Sequence, residues 1–236
     1  MRMLSSLWYN RSMRKRDTKK EILDKAQELF YRYGYNDTSL EMIARDLGID
    51  KQLIAYHFGT KEKLGVAVQN RINTGIRKDF LNTASSMSVR SIFYANAAFA
   101  LWLPRFLCED ENARRFYEDM LLAAEFDIDA LKEQYFDNYK DNAANPERQN
   151  LAMPNFPDYV VSYLSARWLM HFYCRGDLEM DPDDFERKYF YLNCDPFFSN
   201  HKRLEAIFTG AKALLEDLDI VIKPVFKVSI KPTQNH

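Results

Sequence analysis

Lys51, Gln52 and Leu53 open a short amphipathic stretch with side chains suited to reading the edges of base pairs. A glutamine amide pairs in bidentate fashion with adenine, and a lysine ammonium serves guanine or a phosphate. Leu53 either touches a thymine methyl or fills a core, and the residues leave both roles open. Lys61 stands beside the amino end of a following helix, where it adds charge to a helix dipole that favours a phosphate. Thr38 and Ser39 stand in the same relation to an earlier helix, although a capping role explains one of them. The chemistry these residues offer is recognition of duplex nucleic acid.

The elements that must position them are legible in the spacing. Thr18-Lys19-Lys20-Glu21 fits a capping box, and the helix it opens carries Ile22, Ala26, Leu29, Phe30 and Tyr33 on one face. Gly34 suits the left-handed position that closes such a helix. A second box, Thr38-Ser39-Leu40-Glu41, opens a helix with Leu40, Ile43, Ala44 and Leu47 on its buried face. Gly48 permits a sharp turn, Asp50 caps a third helix that runs to about Phe58, and Thr60 caps a fourth beginning at Lys61. The third helix is expected to bury Leu53 or Ile54, together with Phe58. This is the layout of a helix-turn-helix DNA reader, whose second short helix enters the major groove. A plain three-helix packing unit shares the same periodicity.

The residues themselves resemble the amino-terminal domain of the TetR family of bacterial transcriptional regulators. The resemblance rests on Leu29-Phe30, Gly34-Tyr35, Thr38-Ser39, Ile43-Ala44, Leu47-Gly48-Ile49, Tyr56-His57-Phe58 and Lys61-Glu62 with Leu64, and covers residues 18–66. It implies phosphate contacts from Tyr56 and His57, although a helix-terminal hydrogen bond is the plainer role for His57. It further implies a homodimer in which each subunit carries one reader and a larger helical domain that binds a small inducer and the partner subunit. One departure stands out. Family members usually carry Tyr where this chain has Ala55, which has no hydroxyl to offer a phosphate.

Charge divides the same way. Residues 1–78 hold 16 Lys and Arg against 9 Asp and Glu, and the remainder holds 17 against 25, so the net charge of −1 conceals a basic front and an acidic back. Arg11, Arg14, Lys15, Arg16, Lys19 and Lys20 form either an arm reaching a minor groove or a solvated tail. Other classes find no support. Cys108, Cys174 and Cys194 are odd in number and widely spaced, which suits a reduced cytosolic protein and forms no metal-ligand pattern. No nucleophile elbow or dinucleotide fingerprint occurs, so neither catalytic residues, a metal nor a cofactor is expected. The longest apolar run, around residues 97–103, is far short of a bilayer span, and the amino end lacks an apolar signal core. The expectation is a cytoplasmic protein without a membrane partner.

The rest of the chain reads as helices near 64–84, 88–107, 112–122, 126–143, 157–176, 182–193 and 199–218, with Pro104 kinking or ending the second and a loop over 142–157. With 17 Phe, 14 Tyr and 3 Trp, this is a folded chain. Among its aromatic residues, Phe93, Phe99, Trp102, Phe106, Tyr117 and Trp168 are candidates for an inducer pocket with Asn96, Arg167 and His171 as polar anchors, and they favour an apolar or aromatic inducer. Dimer contacts are expected from the 157–176 helix (Val160, Val161, Leu164, Trp168, Phe172) and the 199–218 helix (Leu204, Ile207, Phe208, Ala211, Leu214, Leu215, Leu218). Beyond Ile220, apolar residues alternate through Ile222, Val228 and Ile230, which predicts a short strand. Pro224 confines that strand to an edge or an early position. It must pair with another strand, across a dimer or elsewhere, or lie along a helical surface.

The expected architecture is all-α: a basic arm (1–16), a three-helix helix-turn-helix domain (17–63), a helical ligand-binding and dimerisation domain (64–218) and a tail (219–236) with a short strand. The expected function is a ligand-responsive repressor that binds a palindromic double-stranded DNA operator as a dimer and is released by an inducer. The alternative is a helical small-molecule or protein-binding module that has lost specific DNA binding.

Overall fold

The computed structural model describes residues 17–89, 92–123, 132, 135, 155–194 and 200–233. The arm over 1–16, most of the 126–143 helix and most of the 142–157 loop lie outside the described residues. The described chain is helical, with a small sheet at its end. Its helices are α1 (Thr18–Tyr33), α2 (Leu40–Leu47), α3 (Lys51–Phe58), α4 (Lys61–Ser86), α5 (Ile92–Glu109), α6 (Glu111–Ala123), α7 (Phe156–Arg175), α8 (Pro182–Cys194) and α9 (His201–Glu216), followed by β1 (Leu218–Lys223) and β2 (Lys227–Pro232).

Local signals place the helix ends, with two corrections. Asp17, not Thr18, caps α1, its carboxylate accepting from the Lys20 amide at 3.1 Å, because an anion suits a helix amino end better than a hydroxyl. Ser39, not Thr38, caps α2, accepting from the Met42 amide at 3.2 Å. Asp50 and Thr60 cap α3 and α4 as expected. Gly48 takes φ 63° and ψ 37°, the left-handed conformation that a tight turn between α2 and α3 demands. On α1, Ile22, Ala26, Leu29 and Phe30 are buried, whereas Tyr33 faces solvent.

One core runs through the molecule, from Ile22 and Phe30 of α1 through Phe80 of α4, Phe106 of α5 and Phe116 of α6 to Phe208 of α9. The stripe Leu64, Val68, Ile72, Ile76, Phe80 and Ala84 makes α4 a wall shared by the front helices and the body. Pro104 does not end α5, which continues to Glu109. Buried neighbours Trp102, Leu103, Phe106 and Leu107 hold the helix against the loss of one backbone hydrogen bond. A smaller cluster of Ala166, Phe185 and Tyr189 joins α7 to α8.

The carboxy-terminal strand is one of two. The chain reverses at Pro224–Phe226, and β1 pairs antiparallel with β2, setting Ile220 opposite Ile230 and Ile222 opposite Val228. Each strand thereby satisfies the other's backbone, and Pro224 sits in the turn, where it needs no ladder partner. β2 lies against α4, so the sheet also rests on a helical surface.

The 199–218 expectation for dimer contact is corrected. Leu204, Ile207, Phe208, Ala211 and Leu214 of α9 are buried in the chain's own core, mainly against α5, and cannot also form an outer face. On α7, Val161, Trp168 and Phe172 remain exposed.

Candidate nucleic-acid interface

The helix α3 is built to show one face. Ile54 and Phe58, four residues apart, point inward and anchor it. Leu53 and His57 are half-buried at the edges, and Lys51, Gln52, Ala55 and Tyr56 face solvent. Tyr56 is 82 % exposed, unusual for a large aromatic side chain, and its ring meets the edge of His57 at 5.2 Å. Behind this face, α1 and α2 supply Phe30, Ile43 and Ala44 as backing. Lys51 forms an ion pair with Glu41 of α2, and because both are exposed the pair is weak and exchangeable for a phosphate or a base.

Two other expected contacts sit differently. Thr38 is fully buried, and its hydroxyl donates to the Gly34 carbonyl at 2.7 Å with the Leu29 carbonyl at 3.2 Å as a second acceptor. It ties the end of α1 to the start of α2 and has no access to DNA, a correction to its expected role. Ser39 is half-buried, and its hydroxyl is engaged as the α2 cap. Lys61 donates to the Asn36 carbonyl at 3.2 Å and lies 4.4 Å over the Tyr35 ring. Burial pushes its ammonium below the ordinary lysine pKa. Its charge stays beside the amino end of α4 while it braces the turn after α1.

Residues that the sequence reading missed lock this reader to the body. Asp119 of α6 accepts from the Tyr35 amide at 3.1 Å, the Asn36 amide at 3.3 Å and the Asn36 side chain at 2.7 Å. Arg115, one turn earlier, donates to the carbonyls of Tyr31 and Arg32 at 3.3 and 3.1 Å, which satisfies the last turn of α1. Asp110 accepts from the Tyr31 hydroxyl at 3.1 Å, and the rings of Phe30 and Phe116 stack at 5.6 Å. The only sequence signal was the i, i+4 pair of charges on α6, which names no partner 80 residues away.

The nine inducer-pocket candidates lie on α5, α6 and α7. Trp102 stacks on Phe106 at 5.2 Å and tilts against Phe80, which also meets Phe99, all within the α4–α5 packing. Tyr117 is buried and donates to Asn73 at 2.6 Å. Asn96 donates to the Ile92 carbonyl one turn back, and the Phe93 ring lies under Arg203 at 5.1 Å. Trp168 and His171 adjoin on α7, Arg167 covers the Tyr163 ring, and the His171 imidazole lies 3.8 Å from the Glu118 carboxylate. A cleft of about 270 Å³ at the amino end of α1 is lined by Asp17, Lys19, Lys20, Leu23 and Arg71, none of the nine. Among the described residues, no group of three or more His, Cys, Asp or Glu is arranged to hold a metal, and no helix is long and apolar enough to cross a membrane.

Comparison with known proteins agrees with the front of the molecule. The family model described as bacterial regulatory proteins, tetR family, matches residues 22–68. The HTH-type transcriptional regulator RutR of Escherichia coli (strain K12) is 41 % identical over 54 residues, covering 23 % of this chain and 26 % of RutR, and RutR of Shigella flexneri matches equally. The chain thus spans about a quarter of the length of the curated relatives it matches. Among solved structures, SmeT, the repressor of the Stenotrophomonas maltophilia multidrug efflux pump SmeDEF, is 19 % identical with a TM-score of 0.45, covering 77 % of this chain and 89 % of SmeT. The matched segment contains all of α2 and α3 and the exposed face that Lys51, Gln52, Ala55 and Tyr56 form, so over residues 22–68 this chain is similar to the bacterial regulatory proteins of the tetR family.

Proposed function

We propose that this chain is a ligand-responsive transcriptional regulator, a repressor that binds a palindromic DNA operator as a homodimer in the cytoplasm and is released by a small, mainly apolar or aromatic inducer. The observation that carries the reading is α3, a rigid rod with Ile54 and Phe58 anchored and Lys51, Gln52 and Tyr56 presented outward. Gln52 reads a base edge, Lys51 a base or a phosphate, and Tyr56 and His57 hold the backbone, so the first specifies and the last two position. A two-fold axis would set two such helices about 34–36 Å apart on successive major grooves.

Release requires that an inducer bind better to the arrangement that does not fit DNA. Two elements carry such a bias forward. The fourth helix continues from the reader into the body, and α6 holds the end of α1 through Arg115 and Asp119. The exposed α7 face of Val161, Trp168 and Phe172 supplies the contact between subunits.

Selection of bound fragments from genomic DNA, followed by sequencing, tests the reading and should return a palindrome. On that site, Gln52→Ala should mainly relax base preference, whereas Tyr56→Ala should weaken all sequences alike. Log affinity should fall linearly with log salt. A chain without salt-dependent DNA association would instead be a binding module whose reader is disabled, with Ala55 as the first suspect.

A further inference from the structure

Two cysteines that lie 66 residues apart meet where the ends of α5 and α7 come together. Cys108, one residue before the end of α5, is exposed, and Cys174, one residue before the end of α7, is half-buried. Their sulfurs stand 2.9 Å apart. Cys174 also faces the Pro104 carbonyl at 3.6 Å, and the Arg114 guanidinium donates to the Cys174 carbonyl at 3.2 Å. A disulfide bond is about 2.0 Å long, so the sulfurs need close by only roughly 1 Å. We propose that Cys108 and Cys174 form a peroxide-reactive thiol pair, with Cys108 oxidised first and Cys174 resolving, which closes a disulfide that staples α5 to α7.

The two thiols are unequal in the way such a pair requires. The contact between the two sulfurs, with help from the Arg114 charge, holds the Cys108 thiol below its ordinary pKa, and the same contact together with burial holds Cys174 above its own. The exposed sulfur is therefore the one that ionises more readily, and its hidden neighbour waits. In the first step the Cys108 thiolate attacks a hydroperoxide oxygen. An S–O bond forms, the O–O bond breaks, and the departing alkoxide or hydroxide takes up a proton, leaving Cys108 as a sulfenic acid. In the second step the Cys174 sulfur attacks the Cys108 sulfur. The S–S bond forms, the S–O bond breaks, and water leaves with the Cys174 proton. Two thiols are oxidised by two electrons in total, and one peroxide is reduced to an alcohol, or to water, plus one further water.

The staple would close beside the joint that holds the reader. Two residues beyond Cys108, Asp110 accepts from the Tyr31 hydroxyl of α1 and from the Ala113 amide in the first turn of α6. Fixing the end of α5 to α7 constrains that joint, and a change in operator affinity follows if the proposed DNA-binding function holds. This consequence rests on that function, whereas the disulfide does not.

The test exposes the full reduced chain to a small excess of hydrogen peroxide, blocks remaining thiols by alkylation and maps the peptides without reduction. The expected product has lost two hydrogens, links Cys108 to Cys174 within one chain, leaves Cys194 alkylated and melts higher by on the order of 5 °C, reversibly with dithiothreitol. Cys174→Ser should stop at a sulfenic acid on Cys108 that dimedone traps, and Cys194→Ser should behave like the parent. Quantitative alkylation of Cys108 after peroxide, or a link through Cys194 or between chains, would overturn the proposal, and because the parent chain gives this readout no variant needs to fold. If the mapped disulfide forms and the reduced chain binds its operator with unchanged affinity after oxidation, the link to the reader is wrong. If neither form binds DNA, the failure belongs to the proposed function and the thiol pair stands.

Discussion

Thr38 and Tyr56 show how far residue type and residue role can separate. Both are polar residues in the same short domain, yet Thr38 spends its hydroxyl inside the protein while Tyr56 stands in solvent. Ala55, beside Tyr56 on the same open face, is the position where the matched family usually has Tyr. Ala55→Tyr should fit without disturbing the core and restore a hydroxyl for a phosphate. Operator affinity, measured by fluorescence anisotropy at fixed salt, is expected to rise about tenfold, the value of a hydrogen bond to a charged group. Unchanged affinity would mean that the phosphate lies elsewhere. Tyr35 offers a second measurement. Burial first, then the nearby Glu62 carboxylate, pushes its phenol up to about 12. A phenol whose folded pKa is raised favours the neutral form, so its contribution to stability is complete below about 10 and is lost as pH rises from there to about 12. Absorbance titration of the parent against Tyr35→Phe should show one phenol ionising late, with an alkaline loss of stability that the variant lacks.

At the scale of elements, the carboxy-terminal hairpin acts as a plug between the reader and the body. Its turn holds Val225 and Phe226 at φ 62° and 55°, a conformation that side chains of these types rarely adopt. The surroundings that impose it are specific. Phe226 is buried between Tyr31 of α1 and Phe116 of α6, at ring distances of 5.0 and 5.2 Å, and Gln27 of α1 donates to the Val225 carbonyl at 3.2 Å. Burial of the Phe226 ring offsets the cost of the strained turn. Phe226→Ala should lower unfolding stability by about 3–5 kcal/mol in urea titrations and raise amide exchange over both strands and the end of α1. A loss confined to the strands would show that the hairpin does not brace the reader.

Across the whole molecule, α4 and α6 divide the work of joining the front to the back. The first supplies a continuous apolar stripe, about 39 Å of helix at 1.5 Å per residue, and the second supplies the polar grip on the end of α1. Such a joint transmits small shifts because packed helices move as units. The subunit contact proposed for α7 is tested at the same scale. Replacing both Trp168 and Phe172 with Glu should weaken self-association by at least about thirtyfold, as expected for central aromatic anchors, and leave the helix content intact. Light scattering against concentration reads this directly, and an unchanged dimer would place the contact on another face.

The amino-terminal third was largely legible because its instructions are local. The caps at Asp50 and Thr60, the turn at Gly48 and the apolar spacing of Ile43, Ala44, Ile54 and Phe58 each lie within a few residues of what they control. The outward placement of Lys51, Gln52 and Tyr56 follows from helical periodicity once that anchor is known. Elsewhere the outcome depended on partners distant in the chain. Gln27 meets Val225 across 198 residues, Asn36 meets Asp119 across 83, and Cys108 meets Cys174 across 66. The α9 stripe looked the same whether it faced the core or a second subunit, and the alternating tail looked the same whether it closed on itself or sought another strand. Amphipathic patterning determines that a face must be covered, but which surface covers it is decided by the packing of the whole chain, since burial is non-directional and takes the complementary shape within reach.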